Sequence, residues 1–97
     1  MHYNSAIPNH AFYLLAYRIG GRSWQKAGAI WMRTLLKLKA EPKAELTMRE
    51  WAIRTIQAAT ELRRSDPWGL NRRVIPHTYA AWDSVGIKIR PAEVRRA

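Results

Sequence analysis

The chain has 97 residues, a formal net charge of +10 and no cysteine, which bounds it to one domain and rules out disulfide and thiol chemistry. A hydrophobic share of 47% with five tryptophans argues against disorder, and no apolar run is long enough to cross a bilayer, so no membrane association is expected. The basic excess admits an anionic partner, such as nucleic acid, an acidic lipid surface or an acidic partner domain. Six arginines nevertheless fall in three pairs, Arg63-Arg64, Arg72-Arg73 and Arg95-Arg96, at expected helix ends or in the tail. There they complement the helix dipole without any ligand, so a solvated basic surface is the preferred account.

In chain order, the polar lead His2-Tyr3-Asn4-Ser5 runs into a first helix over about Ala6 to Ile19. Asn4 and Ser5 are suited to N-capping, because their side-chain oxygens accept from free N–H groups of the first turn. Pro8 fits that turn, where its missing N–H is not needed. Ile7, Ala11, Leu14, Leu15 and Ile19 recur at helical spacing as the buried stripe. Phe12, Tyr13 and Tyr17 widen it, so this helix is expected to be enclosed on much of its circumference, at the centre of a bundle. Gly20-Gly21 stops it.

Ser23 is the expected N-cap of a second helix from Trp24 to about Lys39, with Trp24, Ala27, Trp31, Leu35 and Leu38 facing inward and Ile30 flanking them. Gly28 inside it suggests close approach of a neighbouring helix. A loop with Pro42 follows. Thr47 and Glu50 then form a T-x-x-E capping box, with Leu46 and Trp51 placed for a hydrophobic staple. The third helix should bury Met48, Trp51, Ala52, Thr55, Ile56, Ala59 and Leu62, and end before Ser65-Asp66-Pro67. After a connection through Trp68, Gly69 and Asn71, a fourth helix is expected over about Val74 to Val85, closed by Gly86. It turns Tyr79, Trp82 and Val85 to the core. The rest reads as a basic, frayed tail.

The segment His2-Tyr3-Asn4-Ser5-Ala6-Ile7-Pro8-Asn9-His10-Ala11 resembles the V-H-x-N-S-G-I-x-N-x-A segment of the thermolysin-like neutral zinc metalloproteases. A second stretch, Ala81-Trp82-Asp83-Ser84-Val85-Gly86-Ile87, resembles the A-F-D-x-V-G-V ending of the same family. The likeness covers roughly residues 2 to 89; between its ends it is one of helix order and length. Met1 stands where the family has Val, and Ala6 where it usually has Gly.

The resemblance implies an all-α, four-to-five-helix bundle like the family's C-terminal helical domain, with residues 1–89 as that domain and 90–97 as a basic tail. It implies that His2 is a catalytic hydrogen-bond donor to the oxyanion of the peptide transition state. Asn4, Ser5 and Asn9 would be structural residues of the helix start. A member of the family also needs H-E-x-x-H on a helix and a further glutamate to bind zinc. The histidines here are His2, His10 and His77, with no i, i+4 pair, so no metal ligand and no cofactor is assigned to this chain. Zinc, and calcium as a further candidate, belong to the full-length enzyme.

The function expected is therefore that of one half of a zinc endopeptidase, lining the substrate cleft and inactive alone. An upstream zinc-binding half would be its partner, and peptide its substrate only in the full enzyme. A stand-alone helical protein-binding module is the alternative, with the old cleft wall as contact surface. A basic nucleic-acid-binding domain ranks last, because Trp24, Trp31, Trp51 and Trp82 fall on expected core faces. Ser5, His2 and Asp83 do not make a credible triad, since no G-x-S-x-G turn is present. Family members are mostly secreted bacterial enzymes, but this chain shows no signal peptide, so its compartment is left open.

Overall fold

The computed structural model describes residues 6–20, 23–40, 46–65 and 73–97. All regular structure among them is helical: α1 (Ala6–Ile19), α2 (Ser23–Ala40), α3 (Met48–Ser65), α4 (Val74–Ser84) and α5 (Pro91–Arg96). The architecture is the all-α bundle expected. Gly21, Pro42, Asp66, Pro67, Trp68, Gly69 and Asn71, read above as turn or loop residues, lie outside the described residues, as do the side chains of Ile7, Pro8, Ser23 and Trp24.

The helix ends follow from local chemistry. At the start of α3 the Thr47 N–H donates to Glu50 Oε1 at 3.1 Å, and the Glu50 N–H donates to Thr47 Oγ1 at 3.0 Å, so both halves of the capping box form. Gly20 takes φ +70° and its N–H reaches the Ala16 carbonyl at 3.2 Å, ending α1 in the left-handed conformation that glycine adopts without a Cβ clash. Gly86 takes φ +91° after α4; its N–H donates to the Asp83 carbonyl at 3.0 Å and the Ile87 N–H to the Trp82 carbonyl at 2.9 Å. That pair of bonds is a Schellman cap, which satisfies carbonyls the helix would otherwise leave open.

α1 packs on α2 and α4, and α3 packs on α2, α4 and α5. The four long helices thus close a ring with α1 and α3 on opposite corners, and α3 has the most neighbours. This corrects the expectation of a bundle built around α1. Tyr13 and Tyr17 are 53% and 77% exposed, so the outer side of α1 faces solvent. On α3, Ala52, Ala58 and Ala59 are fully buried; their small side chains let helices approach on two sides.

The core holds few large side chains, led by Trp82, Leu15, Ile30 and Ile56. Three buried threonines share it, and each satisfies its hydroxyl within its own helix: Thr34 on the Ile30 carbonyl, Thr55 on Ala52 and Thr78 on Val74, at 2.7–2.8 Å. With its hydrogen bonded locally, a threonine packs nearly as an apolar residue. This explains the second correction: α2 buries Ala27, Ile30 and Thr34, while Leu35 is 49% exposed. The inward stripe is rotated toward Thr34, and Met32, Leu35 and Leu36 lie outside. Gly28 is a third. A Cβ built there meets nothing within 4 Å, so no helix presses against it.

The segment expected as a frayed tail forms α5. Pro91 occupies the first helical turn, where no N–H is required, and the Arg90 N–H donates to Glu93 Oε1 at 3.0 Å. Glu93 also takes a bidentate pair from Arg49 of α3, Nε to Oε2 and Nη2 to Oε1, both at 2.7 Å. Arg49 Nη2 donates further to the Lys88 carbonyl at 2.9 Å, and Val94 packs on the cluster around Ile56 and Trp82. A segment this short is unstable as an isolated helix; docking on α3 supplies what its own hydrogen bonds cannot.

Candidate functional site

His2, Asn4 and Ser5 lie outside the described residues, and the geometry begins with the helix they lead into. Asn9 and His10 are exposed on the first turns of α1, and no acidic residue stands in its first turn. The positive dipole end there has no carboxylate in the helix's own first turn to offset it.

The opposite face of α1 is fixed from three sides. Ala11 is fully buried in a cluster with Ala52, Ile56, Trp82 and Ile89. Phe12 meets Trp31 of α2 edge-on, centroids 5.3 Å apart. Trp31 in turn stacks on Trp82 of α4 at 6.0 Å, their planes within 5°. Trp82 Nε1 donates to Thr55 Oγ1 of α3 at 2.7 Å, and Thr55 passes its own hydrogen to the Ala52 carbonyl. The chain Phe12–Trp31–Trp82–Thr55 crosses all four long helices and meets α1 at Phe12. Offset and edge-on ring pairs each contribute about 0.5–1.5 kcal/mol beyond their buried area.

Sequence reading put Trp31 and Trp82 in the core but missed this chain and its hydrogen bond. The available signal was the pairing of a tryptophan, which must place an N–H when buried, with a threonine on the apolar face of another helix.

Two other carboxylates link helices of the scaffold, and His77 packs within it. His77 is half-buried; burial and the nearby Arg18 and Arg73 charges lower its pKa. Glu61 of α3 accepts Lys37 Nζ at 2.6 Å and Arg33 Nε at 2.8 Å from α2. The Lys37 bond, followed by that from Arg33, outweighs partial burial and holds the Glu61 carboxyl below the usual range. Glu93 is lowered to about 2, first by Arg49 and then by the Arg90 N–H. Asp83 is exposed on α4. Among the described residues no three of His, Cys, Asp and Glu come together to hold a metal ion, so these residues do not fit a zinc site and no step through a metal is derived from them. Among them, too, no helix is long and apolar enough to cross a membrane.

What this arrangement offers is a helix, α1, packed at Ala11 and Phe12 against an aromatic stack that reaches the other long helices. Comparison with known proteins gives it a context. The family described as thermolysin metallopeptidase, alpha-helical domain, matches residues 1–87. An extracellular metalloprotease of Pectobacterium carotovorum subsp. carotovorum is 38% identical over 90 residues, which is 93% of this chain and 23% of that protein. Protease PrtS of Photorhabdus sp. (strain Az29) is 39% identical over 90 residues, covering 93% of this chain and 22% of that protein. The chain thus spans less than a quarter of the length of these relatives. No solved structure matches it. With nearly all of the helical bundle inside the matched range, the chain belongs to the alpha-helical domain family of the thermolysin metallopeptidases.

Proposed function

We propose that this chain is the cleft-lining helical half of a zinc endopeptidase and that His2 donates a hydrogen bond to the oxyanion formed as the peptide carbonyl is attacked. The observation that carries the reading is the family match over residues 1–87, which takes in the His2-x-Asn4-Ser5 segment together with the helix it introduces. Zinc, its ligands and the general base would come from a preceding part of the enzyme, as the family pattern implies. Zinc would polarise the peptide carbonyl and lower the pKa of the attacking water. The part left to this chain is to hold a donor in place: the stack from Phe12 to Thr55 keeps α1 fixed, and α1 carries the His2 segment at its start. Preorganisation of that kind stabilises a developing oxyanion without reorganisation during reaction.

On this reading the purified chain supplemented with zinc has no peptidase activity. Zinc-dependent cleavage by the chain alone, lost on His2→Ala, would contradict it. The exposed Tyr13, Tyr17, Met32, Leu35 and Leu36 support a second reading, a protein-contact module that keeps the fold without the chemistry. A dimer or a protein complex that buries these residues, formed by a chain never joined to a zinc-binding half, would favour it.

A further inference from the structure

Among the described residues, the exposed large apolar side chains all lie on α1 and α2: Tyr13 and Tyr17 on the first, Met32, Leu35 and Leu36 on the second. The two helices pack together, with Phe12 against Trp31, and those five residues stand on the outer side of the pair. On α2, Met32, Leu35, Leu36 and Lys39 recur at i, i+3, i+4 and i+7, which sets them on one face, and Lys39 is exposed as well. The buried Ala27, Ile30 and Thr34 take the opposite side. α2 is therefore apolar on two sides, and only the inner one has neighbours within the domain. The charge on this helix pair has a single sign. All seven acidic residues of the chain come after residue 40, while Arg18, Arg22, Lys26, Arg33, Lys37 and Lys39 precede it. Glu61 of α3 reaches α2 and stays ionised, which offsets one charge of Arg33 and Lys37 and leaves the other. Three of the chain's five lysines, Lys26, Lys37 and Lys39, lie in α2.

We infer that the outer face of α1 and α2 binds the surface of an anionic lipid bilayer, with Met32, Leu35 and Leu36 entering the headgroup boundary and the lysines meeting acidic headgroups. Helices that lie on a membrane pair aliphatic side chains with Lys-rich flanks in this way. A lysine stem reaches over apolar surface and leaves its ammonium at headgroup level, and tyrosine rings settle at the same depth. A protein partner fits less well, because interface cores are depleted in lysine, and here Lys39 continues the apolar stripe. Nucleic acid fits less well too, since aliphatic side chains offer no ring on which a base stacks. The contact is peripheral. Sequence reading looked for a spanning run and expected no membrane association; no helix among the described residues is long and apolar enough to span, and surface binding needs none. The inference goes beyond the endopeptidase reading and does not use His2.

The test is co-sedimentation of the full chain with vesicles of phosphatidylcholine containing about 30% phosphatidylserine, against phosphatidylcholine alone, at ~0.15 M salt. Binding to the anionic vesicles should be at least about tenfold tighter than to the neutral ones. Met32→Ser with Leu36→Ser leaves the net charge unchanged and should weaken that binding at least about tenfold. Lys39→Glu should weaken it at least about fivefold. Arg96→Glu makes the same charge change on α5, which packs on α3, and should leave binding within about twofold. All four side chains are exposed, so thermal melts of the variants should match the parent and exclude unfolding as the cause. Equal binding to neutral vesicles, equal loss in Lys39→Glu and Arg96→Glu, or full binding by the serine pair would each overturn the inference. No binding to either vesicle would overturn it too, and capture of a synthetic acidic amphipathic helix in its place would assign the face to a protein.

Discussion

α2 and α3 each have 18 residues, yet they use them differently. α3 packs on α2, α4 and α5, and two of its charged side chains tie it to neighbours: Arg49 to Glu93 of α5, and Glu61 to Arg33 and Lys37 of α2. α2 buries Ala27, Ile30 and Thr34 and turns Met32, Leu35 and Leu36 outward, at 49–58% exposure. The helix with more large apolar residues at its surface is the one with fewer neighbours. Apolar content alone therefore does not tell which face of a helix is inside; size matching and local hydrogen bonding do. α3 is the scaffold of this domain, and α2 presents the apolar surface that remains open.

Truncating equivalent aliphatic groups on the two helices tests that difference with the largest expected effect. Ile56→Ala in α3 should destabilise by about 2–5 kcal/mol, and Leu36→Ala in α2 by no more than about 0.5 kcal/mol, from chemical denaturation midpoints. Similar losses at both positions would erase the distinction. Next comes Thr55→Val, which keeps the shape of α3 but strands the buried Trp82 N–H. It should cost about 1–3 kcal/mol and blue-shift or broaden the tryptophan emission. Gly28→Ala in α2 should stabilise by up to about 1 kcal/mol, since the new methyl group meets no atom within 4 Å and helix propensity rises. Destabilisation there would mean that α2 has a neighbour at Gly28 after all.

The α3–α5 link makes the fourth prediction. Folded Glu93 titrates near 2, against an ordinary value of 4.5, so it holds its proton less tightly folded than unfolded. Its contribution is complete above about pH 4.5 and is lost as pH falls toward 2. Glu61 is lowered as well, and His77 is lowered by burial, so the whole domain loses stability in acid. Comparison with Glu93→Gln isolates the α5 clamp: the variant should show a shallower stability loss between pH 4.5 and 2 in thermal melts. An unchanged slope would mean that Arg49 does not discriminate between the bound carboxylate and its protonated form.

Much of this fold was legible because its signals are local. The Thr47–Glu50 box, Gly20 and Gly86 each act within a few residues, and the helices start and stop close to where those residues put them. α5 was not legible, because its anchor, Arg49 on Glu93, joins positions 44 apart and a short run after Pro91 has no periodicity of its own. Leu35 and Thr34 were exchanged since spacing alone cannot foresee that a threonine bonded to its own helix will take the buried place. Tyr13 and Tyr17 widened the apolar face of α1 on paper and face solvent in the structure, as amphipathic rings often do. Of the candidate site, the family segment was readable at once. Asn9 lies exposed on α1, and the brace from Phe12 to Thr55 became visible only when four helices were brought together.

The most direct measurement grafts residues 1–87 into the Pectobacterium metalloprotease in place of its matching helical domain and compares the graft with its His2→Ala variant. The account predicts a zinc-dependent peptidase whose kcat falls by roughly 10²–10³ on His2→Ala, the range for losing one oxyanion donor. A folded, zinc-loaded and active graft whose kcat is the same with alanine at that position would contradict it.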